Sequence, residues 1–120
     1  MTARPRNITF DCADPYLVVQ FWSQVTGYQE DPDNPNQPGD PEGYLAGPDG
    51  QPGLLFIPVP EAKTVKNRLH LDLRSSDLAE ATTQALALGA TRADDIYDQG
   101  RWQVLRDPEG NEFCILRPRP

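Results

Sequence analysis

The sequence predicts an α+β protein of two βαβββ modules, forming a cupped, partly closed mixed sheet with its helices on the outer face. Three observations carry that prediction. The segments Asn7–Asp14 and His70–Asp77 lie 63 positions apart, and both alternate polar and apolar residues as half-buried strands do. Each closes on an aspartate that opens a helical pattern ending at a glycine, Gly27 or Gly89. A turn sequence, Gly47-Pro-Asp-Gly50, then recurs 60 positions later as Asp107-Pro-Glu-Gly110, each time ahead of an apolar strand.

The elements follow in order. Asp14 caps a helix whose first residue is Pro15, with Leu17, Val18, Phe21, Trp22 and Val25 at helical spacing. Six prolines between Asp31 and Gly53 make that stretch mostly loop, and residues 31–43 are expected to lack regular structure. Tyr44–Ala46 and Leu54–Ile57 read as strands flanking the first turn, with a poorly defined further strand near Tyr28–Glu30. In the second half Asp77 caps a helix carrying Leu78, Ala81, Ala85 and Leu88, with Glu80 placed as in a capping box. Strands are expected over 91–97, Arg101–Leu105 and Phe113–Leu116. The chain of 120 residues is one domain, 1–120, with module one over about residues 5–60 and module two over about 66–118.

Composition excludes several classes. Eighteen acidic residues against eleven basic ones give a net charge of −7, which disfavours general binding to nucleic acid or anionic membranes. No apolar run approaches the length of a membrane span, and no leader precedes the first strand, so a cytoplasmic protein is expected. Cys12 and Cys114 lack CxxC spacing and are expected to be free thiols.

A period-two strand followed by a helix buries its apolar side beneath that helix. Ile8, Phe10 and Cys12 then face helix one, leaving Asn7, Thr9 and Asp11 on the other face. Leu69, Leu71 and Leu73 face helix two, leaving His70, Asp72 and Arg74. Both strands line the expected cup with hydrogen-bonding groups, the geometry of a small-molecule site.

The two strand-plus-Asp starts, the Asp107–Asn111 turn and the order of the halves resemble the vicinal oxygen chelate superfamily. That group contains glyoxalases, extradiol dioxygenases, fosfomycin-resistance transferases and bleomycin-binding proteins. The stretch Pro60–Leu73, with Asn111–Cys114, is similar to bacterial glyoxalase-like domains, and the resemblance covers nearly the whole chain. It implies the glyoxalase/bleomycin-resistance fold. It also implies four metal-ligand positions, which fall on Asn7, on Leu55 or Phe56, on His70 and on Cys114. Relatives that use metal carry His or Gln at the first of these and Glu at the second and fourth. One imidazole therefore survives, with a thiol as a possible second ligand, and Asp72 sits a strand step deeper than that ring. No metal or other cofactor is expected, and any ion would use His70 and Cys114.

The sequence reading is a glyoxalase-like protein that binds a small organic molecule, contacting it through Asn7, Thr9, Asp11, His70, Asp72, Trp102 and Cys114. If it catalyses, His70 and Asp72 are the acid–base candidates, and Asp11 adds a second carboxylate. The alternative is a divalent-metal-dependent lyase, isomerase or dioxygenase using His70. Cys114 as a nucleophile lacks an orienting partner, and inert packing is the simpler role. Trp102 suits either an aromatic wall for a planar ligand or the core. The basic cluster Lys63, Lys66 and Arg68 reads as a solvated linker. Edge strands and the resemblance together lead to an expected homodimer.

Overall fold

The computed structural model describes residues 2–95 and 102–119. The chain divides into two compact units, Met1–Ala62 and Lys63–Pro120, each with its own mixed sheet.

In the first unit, strand β1 (Asn7–Cys12) leads into helix α1 (Pro15–Thr26), followed by β2 (Gly43–Leu45) and β3 (Gly53–Pro58). The sheet order is β1-β3-β2, with β1 parallel and β2 antiparallel to β3. Asp14 has an extended backbone, and its carboxylate accepts from the N–H groups of Tyr16 and Leu17 at 3.1 and 3.3 Å. The helix ends where Gly27 takes φ +76° and donates to the Ser23 carbonyl. The face of α1 bearing Pro15, Val18, Val19, Phe21 and Trp22 is buried. Phe10 meets it, 5.2 Å from the Trp22 ring and stacked at 5.1 Å on Phe56, so the apolar side of β1 lies under the helix as expected.

The expected strand near Tyr28–Glu30 is reduced to a single bridge, Gln29 with Ala46. Residues 31–42 contain neither helix nor strand. They are held by Asn36, whose side-chain amide pairs with both the N–H and the carbonyl of Tyr44 at 3.0 Å, imitating a neighbouring strand.

The second unit is the complete module: β4 (Leu71–Arg74), α2 (Leu78–Ala87), β5 (Thr91–Arg92), β6 (Trp102–Arg106) and β7 (Glu112–Leu116). Its order is β4-β7-β6-β5, with β4 and β7 parallel and the other pairs antiparallel. Asp77 caps α2 by accepting from the Glu80 N–H at 3.1 Å. The turn between β6 and β7 is built on Asp107. Its buried carboxylate accepts from the backbone N–H of Glu109 and Asn111 and from the Asn111 amide, while Gly110 takes φ +93°.

Two expectations need correction. Leu69 does not face helix two: β4 begins at Leu71, and Leu69 is 66% exposed. The strand expected over 91–97 stops at Arg92, and residues 96 and 97, like Arg101, lie outside the described residues.

Candidate functional site

Residues paired across a ladder share a face of the sheet. In the second unit Asp72 pairs with Cys114, Cys114 with Val104, and Leu116 with Trp102. One face therefore carries Asp72, Cys114, Val104 and Trp102, with Ala93, Val104 and Cys114 in a buried cluster that Trp102 and Leu116 pack against. The opposite face holds the buried Leu105, Phe113 and Ile115, and α2 packs on β6 and β7. Trp102 also lines a cleft of about 460 Å³ with Leu78, Thr82, Arg92 and Gln103. Both of the roles open to it in the sequence are thus compatible with its position.

His70 stands one residue before β4, and its Nε2 lies 3.4 Å from Asp72 Oδ1. Donor atoms of His70, Asp72 and Cys114 lie within 4.8 Å of one another. Asp72 is thus not too deep to join His70. Exposure is graded across the three: the Asp72 side chain is 55% exposed, that of His70 28%, and Cys114 is 3% exposed as a residue. Burial first, and then the Asp72 carboxylate, push the Cys114 thiol up to about 11. It is consequently a neutral thiol near pH 7, which argues against an activated nucleophile. Imidazole, carboxylate and thiol in one group can exchange protons or hold a cation.

In the first unit Asn7, Thr9 and Asp11 occupy the face of β1 away from α1, and the Asn7 amide donates to Thr9 Oγ1 at 3.1 Å. The β1–β3 register pairs Thr9 with Leu55 and Phe10 with Phe56. Of the two residues the resemblance leaves open, Leu55 shares the face of Thr9, whereas Phe56 is fully buried on the helix side. The same registers set Thr9 against Asp72 as repeat equivalents: Thr9 pairs with Leu55 as Asp72 pairs with Cys114. Asp11 corresponds to Arg74.

Sequence reasoning missed a third feature. The Glu112 side chain is only 3% exposed, and it accepts from Lys63 Nζ at 3.0 Å, from the Asn67 N–H at 2.8 Å and from Arg106 Nε at 3.4 Å. Burial opposes its charge, but the Asn67 N–H and the Lys63 ammonium outweigh burial and hold the carboxyl below its usual range. Lys63 is thus an anchor of the segment preceding β4 rather than a solvated linker residue. The signal available in the sequence was an acidic residue heading an apolar strand, next to an asparagine.

A sequence profile described as "Glyoxalase-like domain" matches residues 7–116. The chain belongs to that family. As a glyoxalase-like domain it is a vicinal-oxygen-chelate-type protein, and solved structures of the same fold agree. A glyoxalase/bleomycin resistance protein/dioxygenase family enzyme from Burkholderia phytofirmans PsJN superposes with a TM-score of 0.74 at 22% identity, over 96% of this chain and 98% of that one. Oxidase ChaP-H2 gives 0.68 at 21% identity, over 100% and 96%. TnmS3, an antibiotic binding protein from Streptomyces sp. CB03234, gives 0.63 at 18% identity, over 98% of both chains. A search of curated proteins finds no match to this glyoxalase-like domain. Among its described residues no helix is long and apolar enough to cross a membrane.

Proposed function

We propose that this glyoxalase-like domain, a single domain over residues 1–120, binds a small organic molecule through polar strand faces. The candidate contacts are His70, Asp72, Cys114 and Trp102 on the polar face of the second unit, and Asn7, Thr9 and Asp11 on that of the first, each unit offering a face of its own. The observation that carries the reading is Leu55. It stands on the face shared with Thr9, at the position where metal-using relatives carry a glutamate, so the four-position metal ring is broken while the hydrogen-bonding groups remain. That an antibiotic binding protein shares the fold supports the same reading. The net charge of −7 favours a neutral or cationic ligand over nucleic acid. We further propose that the protein is a cytoplasmic homodimer.

A thermal-shift screen of small polar and aromatic compounds on chelator-treated protein tests the binding. A ligand at about one hundred times its Kd is expected to add about 2.7 kcal/mol, roughly 10 °C for a chain of this size. Trp102→Ala is expected to lose the shift. Failure of every compound to bind metal-free protein, with turnover appearing once a divalent ion is added, overturns the reading in favour of the second.

That second reading is a divalent-metal-dependent lyase, isomerase or dioxygenase using His70. It is favoured by the convergence of His70, Asp72 and Cys114. An ion there would act as a Lewis acid on a bound oxygen, and Asp72 beside His70 is the nearest proton carrier.

A further inference from the structure

We propose that the cleft between α2 and the outer strands of the second unit is a separate binding site, for a small aromatic carboxylate with a hydrogen-bonding ring substituent. It lies on the helix side of the sheet. Arg92 pairs with Leu105 and Gln103 with Ile115, residues of the face on which α2 packs, whereas Asp72 and Cys114 occupy the other face. The site is therefore distinct from the polar face proposed above, and Trp102, next along the strand from Gln103, borders it.

A buried hydroxyl is the first reason. Thr82 is on the buried side of α2, is 5% exposed and lines the cleft. Helical threonines commonly give the hydroxyl to the carbonyl four residues back, as Thr83 does to Ala79 at 3.0 Å and Thr26 to Trp22 at 2.6 Å. The Thr82 hydroxyl makes no such bond, nor any other, among the described residues. A buried hydroxyl in that state costs free energy, which a polar atom of a ligand in the cleft would offset. The second reason is a guanidinium held in place. Arg92 Nη1 donates to Gln103 Oε1 at 3.0 Å, and Gln103 Nε2 donates to Asp94 Oδ1 and to the Val104 carbonyl. The other donors of Arg92 make no ion pair among the described residues, and no carboxylate of those residues lines the cleft. A guanidinium fork matches a carboxylate. The net charge of −7 does not oppose this, because residues 63–120 hold nine basic and nine acidic side chains. The third reason is the wall. Leu78, Ala79 and the half-buried Trp102 supply apolar surface, and the indole suits a planar ring. About 460 Å³ is room for one small molecule. The exposed Arg92 takes the acid at the rim, and the substituent points inward to Thr82, which donates to a ring hydroxyl or accepts from a ring amine. This inference does not rest on the ligand of the polar faces, and it involves no turnover.

Benzoate and the 3- and 4-isomers of hydroxybenzoate and aminobenzoate are the probes, titrated into the isotope-labelled full chain and followed by amide and indole NMR shifts. The expected result is saturable shifts at Thr82, Arg92, Gln103 and the Trp102 indole, with the best substituted probe about fivefold tighter than benzoate. Arg92→Gln is expected to weaken every probe at least about tenfold. Thr82→Val is expected to remove the preference for the substituted probe and leave benzoate unchanged, whereas Thr82→Ser keeps the preference. A merely structural loss would move all the probes together. Asp72→Asn, on the other face, is expected to change none of them. Circular dichroism establishes that each variant is folded, and if Thr82→Val is not, the unaltered chain and Arg92→Gln carry the test. Absence of shifts around the cleft at millimolar probe overturns the site. So does a folded Arg92→Gln that binds every probe as tightly as the parent, or a folded Thr82→Val that keeps the preference. Binding lost in Asp72→Asn also overturns it, and moves the probes to the polar face. None of these failures touches the function proposed above, whose own test uses the polar faces.

Discussion

Glu112 is a carboxylate with 3% of its side chain exposed, at the head of a strand that continues as Phe, Cys, Ile and Leu. Such a charge persists only because Lys63, Asn67 and Arg106 surround it. Glu112→Gln keeps the shape and removes the charge, and it is expected to cost about 1.5–3 kcal/mol at neutral pH, the range for hydrogen bonds to a charged group. The sign of the pH dependence follows from its depressed folded value. Its stabilisation is present above the unfolded carboxyl value of about 4.3 and is lost as pH falls through the lower folded value. Urea melts between pH 7 and pH 3 are therefore expected to show the parent losing stability faster than Glu112→Gln, the curves converging at the acid end. Parallel curves would remove Glu112 from this role. Asp14 was legible from the sequence and accepts two helix N–H groups. Asp14→Ala is expected to lower stability by about 1 kcal/mol, and Asp14→Ser by much less.

Strands and helices were mostly readable because their signals are local. Period-two alternation, an aspartate cap and a terminal glycine each act within a few residues, and β1, α1, β4, α2, β6 and β7 all follow them. What failed was pairing. The strand near Tyr28 survives as one bridge because Asn36 occupies the adjoining edge of β2. The choice between Leu55 and Phe56 was open because the length of the gap between the two halves' last strands cannot be fixed from one sequence. A one-residue difference in that gap reverses which face a residue occupies. Phe56→Ala is expected to cost about 3–5 kcal/mol, because it removes a ring stacked on Phe10 from a fully buried position. Leu55→Ala, on the half-buried opposite face, is expected to cost well under half as much. Denaturant midpoints compare the two directly, and equal losses would show the register misread.

At the scale of the whole molecule, duplication is the main organising fact, with units Met1–Ala62 and Lys63–Pro120. The second unit retains the full βαβββ order, and the first has let its second strand dwindle. A net charge of −7 makes copies of the chain repel one another but does not prevent two matching sheet edges from pairing. The proposed homodimer is expected to give twice the 13.4 kDa chain mass in light scattering at high micromolar concentration. The monomer mass at that concentration would remove the dimer.

The sequence by itself determined the class of this protein, because alternation, capping and turn chemistry are properties of neighbouring residues and they recur in both halves. It also determined the candidate polar residues, which follow from the same alternation. Only the tertiary structure decided that Leu55 stands beside Thr9, that Lys63 reaches back to Glu112, and that Asp72 comes within 3.4 Å of His70 with Cys114 beside it. Those contacts depend on ladder register and on side-chain rotamers, and Lys63 with Glu112, like Asp72 with Cys114, joins residues far apart in the chain. Neither is encoded in any window of local sequence.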